Sequence, residues 1–350
     1  MYSTQEAIAA PVTMAKIIEG IAVKRFRNET APVTREPVND ENELYSFLWE
    51  SSFAEYPADD MTKRILYMCR FHKAGLVEAR LGNLASSAHY FAHADTYLSS
   101  LPATREVELC FLKTVRLPAL AYLYYRQGKY TKAFSFIRSA VDTDIFLEAH
   151  GYPYFLFHRV QQYQNECRML FSQNKVDTAL EEVAALIDLL IAGRSDASFL
   201  RNSTIDLNNE YMPRLRTLML FQLVDETFLT LVMKTHRNFR GAMSRFFIDS
   251  FKNTSRFDLR SDEDRLLKEW IEIFSGLCLD GDGTWLERAL VFLDSDTKKV
   301  EKLKYFLLLY LLQPSLEADL PHVALLSKLQ GLSVPLKFYK VVQSLYPINQ

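Results

Sequence analysis

Between residues 59 and 346, apolar side chains recur at steps of three and four, in stretches of roughly 12 to 25 residues divided by short polar breaks. That period places one apolar stripe along an α-helix, and it predicts helix after helix over most of the chain. Upstream, 41–53 reads as a short helix leading to Tyr56-Pro57, and 5–26 is helix-compatible. Between them 28–40 carries Pro32 and Pro37 among polar residues and reads as a linker.

The breaks themselves are regular. Gly82-Asn83-Leu84, Gly128-Lys129-Tyr130 and Asn174-Lys175-Val176 fall 46 residues apart, twice in succession. A similar helix start follows each: Leu84, Ser87, Phe91 and Ala94, then Tyr130, Ala133, Ile137 and Ala140, then Val176, Ala179, Val183 and Leu186. Further on, Arg237-Asn238-Phe239 is followed by Ala242 and Phe246, and 46 residues later Gly283-Thr284-Trp285 by Ala289 and Phe292. The interval from 174 to 237 is 63 residues, 17 more than the period, and the polar segment 194–210 is the natural place for an inserted loop.

In the second hairpin, Leu117, Leu120, Ala121 and Tyr124, followed by Gly128, Tyr130, Ala133, Ile137 and Ala140, resemble the tetratricopeptide repeat. A small residue at Ala133 lets the two helices approach, Tyr130 fills the wedge where the hairpin opens, and Gly128 supplies a turn with positive φ. The family's period is 34 residues, so a period of 46 lengthens each helix by about 6 residues, or roughly 9 Å. The family's Trp at the hairpin start and Pro after the second helix are missing, Pro118 predicts a kink in a first helix, and a helical solenoid of another family fits the same period.

The resemblance implies an all-α, right-handed solenoid of stacked antiparallel hairpins with helical caps at both ends. It divides the chain into an N-terminal helical segment and linker (1–58), an array (59–313) with the insertion at 194–210, and C-terminal capping helices (314–350). It further implies a non-catalytic scaffold that binds a protein or peptide on the concave face lined by first helices. The positions placed there are His72 and Arg80, then Tyr122, Tyr125 and Arg126, then Gln161, Gln164 and Arg168, with Arg214 and Arg216 joining the rim. Arginine grips carboxylate in a fork and tyrosine joins apolar area to a hydroxyl, so an acidic segment is the expected partner.

Composition narrows the remaining choices. A 49% hydrophobic and 24% charged chain can bury a large core, which excludes disorder throughout. Only 11 glycines occur in 350 residues, less than half the usual share of roughly 7%, which favours helix over turn-rich sheet. With 41 basic and 43 acidic residues the net charge is −2, so no global attraction to nucleic acid or acidic membrane is expected. The basic segment 16–35 has Phe26 as its only aromatic and reads as a solvated face. The apolar run 305–312 is far short of the roughly 18 residues of a membrane span, and 7–12 is too short for a secretory leader. Cys69, Cys110, Cys167 and Cys278 form no CxxC and read as small core residues in a reducing, cytoplasmic setting.

No cofactor or metal is expected. Asp59-Asp60 resembles the acidic pair of all-helical prenyl-diphosphate enzymes, but Lys63 stands where a third acid belongs, and a helix N-cap accounts for the pair. Asp280-Gly281-Asp282-Gly283 begins like a calcium loop and then breaks the pattern; it reads as a tight turn. His89 and His93 stand at a zinc-compatible i, i+4 spacing without a third ligand. The second function considered is an all-helical enzyme acting on an isoprenoid- or lipid-like substrate, suggested by 13% aromatic residues and by Asp59-Asp60.

Overall fold

The computed structural model describes residues 41–310 except 99–104, 196, 201, 202, 207, 210, 235–238, 280–282, 295–302, 305, 308 and 309. The described residues contain eleven α-helices. These are α1 (Glu41–Phe53), α2 (Asp60–Leu81), α3 (Leu84–Leu98), α4 (Glu106–Arg126), α5 (Tyr130–Ala149), α6 (Phe155–Ser172), α7 (Val176–Ala192), α8 (Met212–Lys234), α9 (Phe239–Ser250), α10 (Asp262–Leu279) and α11 (Gly283–Asp294). Among the described residues no strand forms; Arg194 and Thr204 make one isolated bridge. The fold is all-α, and its helices pack against their chain neighbours. The expected capping helices, the N-terminal helix and basic segment, and the turn at 280–282 lie outside the described residues.

The helices stop where the backbone can turn left-handed. Gly82, Gly128 and Asn174, one period apart, have φ of 90°, 71° and 61°. At each, two amides reach back to orphan carbonyls: Gly82 to Ala79 and Asn83 to Glu78, Gly128 to Tyr125 and Lys129 to Tyr124, Asn174 to Phe171 and Lys175 to Leu170. This is the Schellman closure, and it needs a residue that tolerates positive φ at the same point each time. The second helices α3, α5 and α7 therefore start at Leu84, Tyr130 and Val176, as the period predicts. Their small seam residues Ser87, Ala133 and Ala179 are all fully buried, as are the larger Phe91, Ile137 and Val183 one turn on.

Contacts follow the period as well. Arg126 reaches the carbonyl of Arg80 and Arg105 reaches Asp59, each across 46 residues. Corresponding ends of α2 and α4 therefore lie side by side, with Ala79, Phe91, Ala119, Leu120 and Leu123 packed between the hairpins. The next seam joins Ala121, Ala133, Ile137 and Met169 of α4, α5 and α6. Helix α4 runs on through Pro118.

The segment after α7 is pinned rather than loose. A short 3-10 turn, Ser198–Leu200, buries Leu200, while Tyr163 donates to the carbonyl of Phe199 (3.0 Å) and Arg159 to the hydroxyl of Ser203 (2.9 Å).

The described residues divide into two compact units, one from residue 41 to Leu220 and one from Phe221 onward. The second has an aromatic core. Phe247 and Phe274 stack at 4.6 Å, Trp270 lies 4.7 Å from Phe274, and the Trp270 indole donates to the carbonyl of Leu303. Its helix α10 opens with a reciprocal cap, in which Ser261 Oγ accepts from the amide of Asp264 and Asp264 Oδ2 accepts from the amide of Ser261.

Candidate functional site

All eight predicted groove residues fall in the first unit, and the structure sorts them into two groups. Arg80 and Arg126 are exposed, one in the last turn of α2 and the other in the last turn of α4. There a cation meets the negative end of the helix dipole. Arg126 Nη1 donates to the carbonyl of Arg80 (3.3 Å) and to the Tyr122 hydroxyl (3.2 Å). The Arg80 guanidinium makes no hydrogen bond to a described residue and points to solvent.

Tyr125 lies beside this pair, half-buried, with its hydroxyl 2.8 Å from Ser172 Oγ at the end of α6. Because Ser172 donates its own proton to the carbonyl of Arg168, Tyr125 is the donor. Arg168 is half-buried and bonded to Asn165 Oδ1, and Gln161 is half-buried on the same helix. Arg80, Tyr122, Tyr125, Arg126 and Arg168 thus occupy the C-terminal ends of three first helices in succession.

Three expected groove or rim residues are core residues instead. His72 is 0% exposed and stacks on Phe91, with neither ring nitrogen hydrogen-bonded. Burial, helped by the charge of Arg116, pushes its pKa down to about 3. It shares the buried stripe of α2 with Ile65, Met68, Cys69 and Ala79, which turns it away from any groove. Gln164, on α6, is 3% exposed. Arg216 is fully buried within α8, whereas Arg214 is exposed.

Helix α1 packs on α4 and α6 near their N-terminal ends. Leu44, Leu48, Trp49 and Phe53 are buried along one stripe of it, at the i, i+4 spacing of an amphipathic helix. Trp49 packs edge-on to Phe111 of α4, and its indole N–H donates to Thr114 Oγ1 (3.2 Å). Phe53 lies 5.6 Å from the same Phe111. One turn back, Tyr45 stacks on His158 of α6 at 5.0 Å and meets Phe155 edge-on. Burial, with the negative charge of Asp144 nearby, drives the Tyr45 phenol well above its ordinary pKa, so it stays protonated.

Beneath Tyr45 is a polar centre between α5 and α6. His158 Nδ1 is 2.8 Å from Asp144 Oδ1, and Gln162 Nε2 is 3.1 Å from His158 Nε2. Alongside, Arg159 forks onto both oxygens of Glu148 at 2.8 and 2.9 Å. Burial raises the pKa of Asp144 and of Glu148, opposed by His158 and Arg159 respectively. Asp144 is fully buried and His158 nearly so, under the Tyr45 ring, so the Asp–His pair fixes the α5–α6 seam and is closed to a substrate. The sequence reading missed this centre because Asp144, Glu148, His158, Arg159 and Gln162 are polar residues on helices, which default to solvent.

The residues singled out for metal or enzyme chemistry are otherwise engaged. Asp59 caps α2, accepting from the amide of Thr62 (2.9 Å) and pairing with Arg105, and Asp60 pairs with Arg64 (2.7 Å). The amide of Thr62, with Arg105, holds the Asp59 carboxyl below its usual pKa. His89 and His93 line an open groove of about 590 Å³ on the α2–α3 hairpin with Phe71, Glu78 and Tyr90. Among the described residues no three His, Cys, Asp or Glu side chains gather to hold a metal. Cys69, Cys110 and Cys167 are buried free thiols. No described helix is long and apolar enough to cross a membrane.

Comparison with family models, curated proteins and solved structures yields no match.

Proposed function

We propose that this chain is a tetratricopeptide-like helical repeat protein of long period, a non-catalytic scaffold that holds a segment of a protein partner on its first helices. One observation carries the reading: Arg80, Tyr122, Tyr125, Arg126 and Arg168 stand toward the C-terminal ends of α2, α4 and α6, and Arg126 reaches Arg80 across 46 residues while Tyr125 reaches Ser172 across 47. Arg80 and Arg126, one period apart, with the phenols of Tyr122 and Tyr125 beside them and Arg168 on the next first helix, are what a peptide laid across successive repeats would meet. The layers stack as a right-handed solenoid in this reading, with the buried thiols suiting a reducing cytoplasm. The enzyme reading draws nothing further from Asp59 and Asp60, which serve the start of α2.

The test is capture from a cell extract of the source organism, with full-length wild type and Arg126→Ala/Arg168→Ala compared side by side and partners read by mass spectrometry. The double variant is expected to recover its main partner at least tenfold less well at an unchanged thermal midpoint. Equal recovery would remove this strip from the binding site.

A further inference from the structure

We infer that the partner segment is an acidic amphipathic helix with aromatic anchors, seated beside α1 on the C-terminal halves of α4 and α6. This inference rests on the peptide-binding reading and specifies its ligand. The argument starts from α1, because the same face of the first helices already holds a helix of the chain itself.

On α4, Phe111, Thr114, Pro118, Tyr122 and Tyr125 follow one another at steps of three and four, so they form a single stripe. Helix α1 covers the Phe111–Thr114 end of it through Trp49 and Phe53. On α6 the matching stripe runs from His158, under Tyr45, through Gln161 and Asn165 to Arg168 and Ser172. On both helices the N-terminal part is occupied by α1, while the C-terminal part carries Tyr122 and Arg168 only half-buried and Arg126 exposed.

The spacing along α4 suits a second helix. From Thr114 to Tyr122 is eight residues of helix, about 12 Å of rise, and two helices pack at roughly 8 to 10 Å between axes. A helix laid next to α1, and parallel to it, has its axis over Tyr122 and its charged flank against Arg80, Arg126 and Arg168.

The chemistry of that helix follows from its seat. Helix α1 shows what this face accepts: apolar and aromatic anchors, Leu44, Tyr45, Leu48, Trp49 and Phe53. The open part offers phenol rings for similar anchors and, unlike the part under α1, a row of guanidinium groups. Arg80 has no acid partner among the described residues, and Arg126 is bonded to a carbonyl and a hydroxyl instead of a carboxylate. Carboxylates on the partner give these groups forked, charge-assisted bonds, and a basic helix would be repelled.

The test uses purified full-length protein and a fluorescein-labelled synthetic peptide with the sequence of residues 41–53, followed by anisotropy. Its partner probe is the same peptide with Glu41, Glu43 and Glu50 replaced by Lys. Wild type is expected to bind the acidic peptide at least tenfold more tightly than the lysine peptide, with affinity falling as salt rises. Arg80→Glu/Arg126→Glu, at exposed positions, is expected to weaken the acidic peptide at least tenfold with unchanged circular dichroism.

Equal affinity of wild type and variant means that the probe displaces α1 or sits elsewhere, and overturns the inference. Equal affinity for the two peptides overturns it without any variant. If the lysine peptide binds as well and Tyr122→Ala/Tyr125→Ala weakens both probes, peptide binding by this face stands and only the acidic preference fails. If neither peptide binds at any salt and the capture experiment also recovers nothing through Arg126 and Arg168, both readings fall.

Discussion

His72 is sealed in the first unit on the buried stripe of α2, with Ile65, Cys69 and Ala79. Its ring stacks on Phe91, and neither nitrogen has a hydrogen-bond partner. The consequence is a pH dependence. An unfolded chain binds a proton at His72 below about 6.5, while the folded chain refuses it down to about 3. The unfolded state therefore holds more protons throughout that window, and stability falls as pH drops below about 6.5. By pH 5 the loss from this residue is about 2 kcal/mol. His72→Leu keeps an apolar group of similar size and is expected to abolish that share of the loss, while leaving stability at pH 7 equal or slightly raised. Urea unfolding of both proteins at pH 7 and pH 5 checks it; parallel losses in the two would show that His72 is protonated in the fold.

Helix ends were the most readable elements, because a left-handed residue leaves a trace in composition. Gly82, Gly128 and Asn174 mark three turns of one design, and all three adopt positive φ. The design also ranks substitutions. Gly128→Ala puts a Cβ into a left-handed turn and is expected to cost about 1 to 2 kcal/mol, even though no atom lies close enough to clash with it. Asn174→Gly relieves the backbone but loosens the unfolded chain, so its net effect should stay within about 0.5 kcal/mol. Thermal midpoints of the two variants decide: a tolerated Gly128→Ala would mean that this turn does not need its left-handed residue. The facing polar groups of α5 and α6 left no comparable trace. Asp144 and Glu148 are spaced as on any solvated helix face, and only the approach of His158 and Arg159 from the next helix turns that face into a seam.

At the scale of the molecule, the period announced layers, but it did not announce what lies across them. The pattern over 41–53 predicts the helix that forms there, but nothing in it points to α4 and α6, which follow it by more than fifty residues. The insertion at 194–210 was likewise placed by counting, whereas its attachment through Arg159 and Tyr163 belongs to the folded chain alone. Long-range docking of this kind depends on which surfaces remain apolar once the layers have stacked. Phe111 and Phe155 are both fully buried, and α1 contributes to covering them through Trp49, Phe53 and Tyr45. If α1 is an integral part of the first unit, Trp49→Ala should cost about 3 to 5 kcal/mol, the usual loss for a buried aromatic. Phe47, on the same helix but 57% exposed, provides the control, since its replacement by Ala should change stability by no more than about 0.5 kcal/mol. Urea unfolding followed by far-ultraviolet circular dichroism distinguishes the two. Near-equal effects would mean that α1 is held too loosely to serve as the neighbour of a second helix, and the width of the open face would have to be drawn again from α4 and α6 alone.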